Sequence, residues 1–388
     1  MAYLRNVTIN LLNLHFGVHA LAMHSGGVFF VVFLLKAGVP APAVLTAIAL
    51  ILGGRFLLRP LVLVFATRWG LRPLVALGTI VSAAQFPLLA EVHGVDAMLL
   101  AACVVASIGE TFYWTSYHAY FAALGDAEHR GHQISAREAI SALAAIIGPL
   151  LGGWALTALG PRVAFGVIAI VQVVAALPLL GTPDIAVARS VPGAYRAAWR
   201  GVSLFAADGW IGAGHAFVWP IALFLSLGES FTAFGGALSL AALVGAIVGL
   251  RLGRHIDAGH GVRAAALACG AFALLTLFRA LSTGDGALAV TANAIGAVVA
   301  CLYIPTLMTA VYNQAKRAPC TLRFHIATEG GWDAGGAAGC LIAAALAAAG
   351  WPLAWGILLS FGGIAAVFVL LRGYYDPTAL KAAPEPPT

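Results

Sequence analysis

Residues 162–181 read RVAFGVIAIVQVVAALPLLG, a run whose single charge is that of Arg162 at its first position. A helix crosses the roughly 30 Å hydrocarbon core of a bilayer with about 20 apolar residues. Because the bilayer interior offers no water as a hydrogen-bond partner, the backbone there must pair internally, as it does in a helix. The run therefore predicts a transmembrane α-helix.

Apolar runs of similar length recur along the whole chain. The predicted spans are residues 7–35, 41–66, 73–91, 97–121, 134–157, 162–181, 202–227, 231–253, 263–282, 286–312, 322–349 and 352–371. Of the 388 residues, 61% are hydrophobic and 9% are charged, whereas a soluble domain carries about 25% charged residues. So few charges exclude a soluble fold. We predict an all-α membrane protein with twelve transmembrane helices in two pseudo-symmetric six-helix bundles.

The longest polar interval lies between the sixth and seventh spans and marks the domain boundary. We predict an N-terminal bundle over residues 1–181, a cytoplasmic linker over 182–201 and a C-terminal bundle over 202–372. The remaining residues, 373–388, end in Pro-Glu-Pro-Pro-Thr and predict a disordered cytoplasmic tail.

An internal repeat supports this division. Residues of the same type recur at an offset of about 191 positions. The matched pairs are His24 and His215, Tyr113 and Tyr303, Glu138 and Glu329, and Gly160 and Gly350. A near-constant offset across several spans predicts two parallel repeats.

The positive charges indicate the orientation of the chain. Most Lys and Arg residues between the spans fall in one alternating set of loops, and the opposite set holds little beyond Lys36 and Arg162. Cytoplasmic loops carry such an excess, so we predict that both termini are cytoplasmic. The net charge of +6 therefore reports topology and not nucleic-acid binding. We expect a multi-pass protein of the bacterial inner membrane.

Three local motifs carry a family resemblance. After the eighth span the chain reads Gly253-Arg254-His-Ile-Asp257 and then Gly261-Val-Arg263. The equivalent loop of the first half contains Thr67-Arg68-Trp-Gly70-Leu-Arg72, and the fifth span contains Gly148-Pro149-Leu-Leu-Gly152-Gly153. Together these motifs resemble the loop signature and the Gly-Pro element of the major facilitator superfamily, and the Gly-Pro element resembles its proton-driven exporters.

The chain also departs from the family pattern. Thr67 stands where the family usually has an Asp, and Glu110 stands in a fourth span that lacks the Arg of many drug exporters. The resemblance implies that the loop motifs close the cytoplasmic side and that Gly148-Pro149 bends the fifth span. Simple topology for the loop residues, and a simple packing kink for the Gly-Pro element, are the alternatives.

In this superfamily the first, fourth, seventh and tenth helices line the central path. The resemblance therefore implies a substrate-binding set: His24, Glu110, Tyr113, Trp114, Tyr117, His215, Trp219, Asn293 and Tyr303. Aromatic side chains with polar tips can hold an organic solute by its body and orient it by hydrogen bonds. Packing between helices is the alternative role for each of them.

Charges inside spans are costly and usually face a cavity or one another. We predict proton coupling at Glu110, Asp333 and Asp208, because burial favours the protonated form of a carboxyl group. Arg55 and Arg59 lie at the same predicted depth as the acidic pair Glu329 and Asp333. The two pairs are therefore predicted to form a gate between the halves, with pairing inside one half, Arg55 with Glu110, as the alternative.

These features together predict a secondary active transporter, a proton-coupled exporter of a small organic solute that works by alternating access. Uptake of a small polar or anionic solute, motivated by Arg55, is one alternative, and a non-transporting membrane receptor or assembly protein is another. No nucleophile–base pair typical of enzymes and no phosphate-binding Gly-rich motif is recognisable. We expect a monomer with no cofactor. We also expect no metal, although His15 and His19 lie four residues apart and leave a metal site as an alternative to packing.

Overall fold

The computed structural model of the protein describes residues 6–124, 130–252 and 261–375. Twelve helices in these ranges are long and apolar enough to cross a membrane, which confirms the predicted number of spans. The helices, labelled α1 to α12, are Val7–Lys36, Ala41–Trp69, Leu71–Ala90, Ala97–Leu124, Ala136–Ala158, Pro161–Gly181, Trp199–Ser226, Phe231–Arg251, Gly261–Leu281, Gly286–Arg317, Thr321–Ala348 and Leu353–Tyr375. No β-strand occurs among the described residues, so this part of the chain is all-α as predicted.

Several helices run past their predicted ends. Helix α10 continues to Arg317, beyond the predicted end at residue 312. A helix satisfies its own backbone hydrogen bonds, so it can continue after the apolar pattern stops. Helix α12 likewise continues to Tyr375, so the first residues of the predicted tail are helical. The rest of that tail, 376–388, lies outside the described residues.

The contacts divide the chain into two compact units. The first comprises Met1–Ser190 with Leu227–Ala242, and the second comprises Val191–Ser226 with Leu243–Thr388. The sequence analysis predicted that all of α8 belongs to the C-terminal bundle. By its contacts, the beginning of α8 belongs to the first unit. Small residues permit this packing, because a side chain at Gly235 would collide with the backbone of Pro149.

The second unit has a continuous apolar interior. Leu204 of α7, Phe324 of α11 and Val367 of α12 are almost completely buried in one cluster, which also contains residues of α9 and α10. In the interval predicted as a linker, Ala194–Ala197 forms one helical turn ahead of α7.

The sequence repeat is visible in the backbone. Gly160 and Gly350, a pair matched by the repeat, adopt φ angles of 79° and 82° just before α6 and α12. L-residues with a side chain rarely adopt this conformation, which explains why glycine stands at both places.

The first and seventh spans are irregular at matched positions. Helix α1 is interrupted after Ser25 and continues through a short 3₁₀ turn at Gly27–Phe29. Helix α7 contains a π-helical segment over Ala213–Val218. The interruption of α1 lies next to His24, and the π segment of α7 contains the matched histidine His215. Such π segments occur frequently at functional sites.

Candidate functional site

A cavity of about 350 Å³ lies entirely within the second unit, between α7, α9, α10 and α11. Its walls include Asp208, His215, Phe272, Arg279, Tyr303 and Trp332. The sequence analysis predicted Asp208, His215 and Tyr303 as site residues, and the structure brings these three to one space.

Asp208 is held by two donors. The Tyr303 hydroxyl donates to Oδ1 at 2.7 Å, and the Trp332 indole donates to Oδ2 at 3.1 Å. Both oxygens of the carboxyl group therefore have partners, which fixes its orientation at the cavity wall. Tyr303 was a predicted binding residue. Trp332 was missed because the predicted lining residues came only from the first, fourth, seventh and tenth helices, and Trp332 lies on α11.

His215 joins Asp208 on the same helix and is bonded at both ring nitrogens. Nε2 lies 2.8 Å from the hydroxyl oxygen of Thr276, and Nδ1 lies 2.8 Å from Nη1 of Arg279. Thr276 donates its own proton to the carbonyl of Phe272. The hydroxyl oxygen must therefore accept from Nε2, and Nδ1 accepts from Arg279. The partners thus indicate a neutral imidazole in a single tautomer.

Arg279 lies at the centre of this network. Its guanidinium carbon is 4.7 Å from the centroid of the Trp219 ring, within the range of a cation–π interaction. The Trp219 indole in turn donates to the side-chain oxygen of Asn293 at 3.0 Å. Trp219 and Asn293 were predicted site residues, but Arg279 was not. A charge inside the apolar run of the ninth span was the signal that could have found it.

Aromatic rings form one wall of the cavity. The Phe272 ring lies between His215 and Tyr303, with centroid distances of 4.6 Å and 4.7 Å. The cavity therefore combines a cation, a carboxyl group and a flat apolar surface, a combination suited to a small organic solute.

The first unit contains an ion pair that involves one of the predicted gate residues, Arg55. Nη1 of Arg55 in α2 lies 2.6 Å from Oε2 of Glu110 in α4. One turn away, buried Arg59 donates to the hydroxyl of Thr115 at 2.8 Å. For Arg55 the structure therefore has the alternative arrangement, in which both partners lie in the same half of the chain. Glu329 and Asp333 lie in α11 of the second unit, where Asp333 is completely buried. Their gate with Arg55 and Arg59 stays a prediction.

A histidine–aromatic cluster occupies the same unit. The ring of His19 stacks on Tyr113 with a centroid distance of 3.9 Å, and Trp114 and Tyr117 continue the cluster along α4. His15 contacts the carbonyl of Ala175 at 2.6 Å. These contacts correspond to the packing alternative for both histidines. No group of three or more potential metal ligands occurs among the described residues.

The Gly-Pro element lies against other helices of the first unit. A side chain at Gly148 would collide with His24, one at Gly152 with the backbone of Ser25, and one at Gly153 with the backbone of Phe231. The glycines therefore allow α5 to approach α1 and the start of α8 closely. Pro149 lies inside helix α5 between these contacts.

The loop between α2 and α3 has an acidic partner that the sequence did not reveal. The backbone NH of Arg72 donates to Oδ1 of Asp184 at 3.0 Å, and the Arg72 guanidinium donates to the carbonyl of Thr182 at 3.1 Å. Gly70 has φ of 83° and leaves room for the Asp184 carboxylate. Asp184 therefore brings an acidic group to the loop in which Thr67 replaces the family's Asp.

The remaining residues of the loop motifs are only partly within the described chain. Arg68 is exposed near the end of α2. Gly261 begins α9 against the ring of Tyr375, and Arg263, two residues further along, is exposed. Gly253, Arg254 and Asp257 lie outside the described residues.

Comparison with known proteins agrees with this architecture. A model of the Major Facilitator Superfamily matches residues 15–322. No curated protein matches the sequence. Among solved structures, the human organic anion transporter MFSD10 (TETRAN) has a TM-score of 0.67 at 17% identity, covering 94% of this chain and 99% of that one.

Two further solved structures share the fold. The POT family transporter PepTSo has a TM-score of 0.70 at 10% identity, covering 97% of this chain and 99% of its own. The superfamily transporter FucP, in an outward conformation, has a TM-score of 0.65 at 15% identity, covering 95% and 99%. Since the family model spans most of the chain, this twelve-span membrane protein belongs to the Major Facilitator Superfamily and is a transporter, not an enzyme.

Proposed function

We propose that the chain is a secondary active transporter that couples export of a small organic solute to protons by alternating access. The observation that carries this proposal is the carboxyl group of Asp208, held by Tyr303 and Trp332 at the wall of a cavity within the spans. A carboxyl group there can exchange a proton while its oxygens keep their orientation.

A second carboxyl group supports proton coupling in the first unit. Glu110 is paired with Arg55, and its side chain keeps 21% of its exposure. Protonation of Glu110 would release Arg55 from this pair. Such a change of partners is a means by which a proton can alter the contacts of a helix.

Export is the direction favoured by the Gly-Pro element of α5, which resembles that of the family's proton-driven exporters. The close contacts of Gly148, Gly152 and Gly153 make α5 sensitive to any added side chain. We further propose a monomer in the bacterial inner membrane with both termini in the cytoplasm, because Lys and Arg are concentrated in one set of loops.

Solute-dependent proton movement in proteoliposomes tests the function. Purified protein is reconstituted with a trapped pH-sensitive dye, and a panel of organic acids, bases and neutral solutes is added with and without an imposed pH gradient. Proton flux that appears only with a subset of solutes supports coupling. Absence of flux with every solute tested, or solute flux that does not depend on the pH gradient, would contradict it.

The direction is tested in inverted membrane vesicles. Accumulation of the solute inside inverted vesicles upon acidification of their lumen corresponds to export. Accumulation in right-side-out vesicles with an acidic exterior would instead assign uptake. Reporter fusions near Ser190 and at Thr388 test the orientation, and a periplasmic signal at either position would contradict it.

A further inference from the structure

Arg279 is a buried cation without an acidic partner. Its side chain is 8% exposed, and no carboxylate of the described residues lies within ion-pair distance of it. Nη1 donates to His215, which is neutral in the tautomer that its partners impose, and Trp219 covers one face. A charge removed from water is costly unless an opposite charge compensates it. The carboxyl group of Asp208 at the wall of the same cavity is bonded to Tyr303 and Trp332 and forms no ion pair with Arg279.

The unused edge of the guanidinium has the shape that an oxyanion requires. Nη1 is engaged by the side chain and carbonyl of His215. Nε has no acceptor among the described residues, and Nη2 forms no hydrogen bond there either. Nε and Nη2 point along one edge of the planar group, so together they can donate two parallel bonds to a carboxylate.

The surroundings leave space for such a ligand. Arg279 lines the 350 Å³ cavity, and so does Gly296, which lies against Nη2. Any side chain at Gly296 would collide with Nη2. The glycine therefore keeps the guanidinium in place and the cavity open beside it. Phe272 and Tyr303 present flat rings to the same space.

We propose that this cavity binds an organic anion, with its carboxylate on the Nε–Nη2 edge of Arg279 and its apolar body against Phe272 and Tyr303. The inference rests on the proposed transport function and names its substrate class. The ligand anion supplies the charge that Arg279 lacks, and the rings select against a small hydrated inorganic ion.

Calorimetric binding to the purified protein in detergent tests the proposal without transport. The probes are 2-naphthoate and 2-naphthamide, which share a ring system and differ in charge, with sulfate as the inorganic anion. We expect 2-naphthoate to bind at least about tenfold more tightly than the amide, because hydrogen bonds to charged groups are the stronger ones. Sulfate should not compete.

Three variants locate the binding. Arg279→Gln should weaken 2-naphthoate binding about 10- to 100-fold and leave the amide nearly unchanged. Arg279→Lys keeps the positive charge but loses the two parallel donors, and it should show an intermediate loss of affinity. Gly296→Ala leaves Arg279 in the chain but displaces its guanidinium, so it should also lower the affinity if Arg279→Gln fails to fold. Exposed Arg372→Gln removes the same charge elsewhere in the second unit and is the matched control.

The outcomes separate this proposal from the proposed function. Equal binding of the two naphthyl probes, binding of neither, or unchanged 2-naphthoate affinity in folded Arg279 and Gly296 variants would overturn the anion site. Competition by sulfate would reassign it to inorganic anions. If 2-naphthoate binds through Arg279 but never moves with the pH gradient, proton-coupled transport fails and the binding site stands.

Discussion

Arg55 and Glu110 form a 2.6 Å ion pair between α2 and α4, inside the first unit. Both side chains are largely shielded, with 12% and 21% of their surfaces exposed. Neutralising one partner of a shielded pair leaves the other charge poorly compensated. Protonation of Glu110 is therefore linked to the position of Arg55, so a substitution of either residue affects the other.

Replacement of Glu110 by Gln should abolish proton-driven solute flux, reducing it to the rate of liposomes without protein. Gln retains an acceptor oxygen for Arg55, so the fold should survive. Glu91→Gln, at an exposed position that follows α3, is the control and should transport normally. Coupled transport at the normal rate by the Glu110 variant would remove this residue from the mechanism.

Asp208→Asn should likewise remove proton coupling, because the amide keeps an acceptor for Tyr303 or Trp332 but cannot exchange a proton. Solute exchange without a pH gradient should persist, which separates coupling from binding. Asp285→Asn offers a matched control, since Asp285 caps α10 through the NH of Leu288 and Asn caps helices as well as Asp. Retained proton movement in the Asp208 variant would place coupling elsewhere.

The predicted gate can be tested by charge exchange. Arg59→Glu should block transport and destabilise the closed state, because like charges in a low-dielectric site repel strongly. The added substitution Glu329→Arg should restore transport in part, with a coupling energy of about 1–3 kcal/mol between the two sites. Flux and thermal unfolding of both single variants and the double variant give this energy. Strictly additive effects would show that the two residues do not meet.

A surface pair gives a pH-dependent prediction. Arg162 binds both carboxylate oxygens of Glu91, at 2.7 Å and 2.8 Å, and these hydrogen bonds lower the pKa of Glu91 from its ordinary value. A lowered pKa in the folded state stabilises the protein above the unfolded pKa of about 4.3, and this stabilisation is lost as pH falls through the folded pKa.

The measurement compares the Tm of Glu91→Gln with that of the unsubstituted protein. The variant should have a slightly lower Tm at pH 7, a small effect because the pair is exposed. The difference should vanish once the pH falls below the lowered pKa. A Tm difference that is the same at neutral and acidic pH would show that the ion pair does not cause it.

The sequence predicted the spans well because a membrane helix has a simple physical signature. Each apolar run must be about 20 residues long, and each buried charge must be explained. The second rule identified Asp208 and His215 but was not applied to Arg279, which lies close to the end of the ninth helix. The network around His215 would have been easier to predict if every charge within a span had been treated alike.

Asp184 illustrates what the sequence could not provide. Its position in a polar interval between two bundles carries no periodic signal, and its contact with Arg72 spans more than 100 residues of chain. Register between distant segments depends on packing that local patterns do not encode. The pairing of Arg55 with Glu110 was similarly left between two alternatives, because depth alone cannot choose between partners on two different helices.

The π segment of α7 has an evolutionary consequence. A π turn holds one residue more than the α turn it replaces, so deletion of one residue within Ala213–Val218 would give a regular helix. The π turn accommodates the extra residue locally, so the parts of α7 on either side would keep their facing after the deletion. Trp219 would stay on the face of Arg279, while the backbone around His215 would change its spacing. One codon lost or gained at this place therefore alters the surroundings of His215 without a change in any other helix.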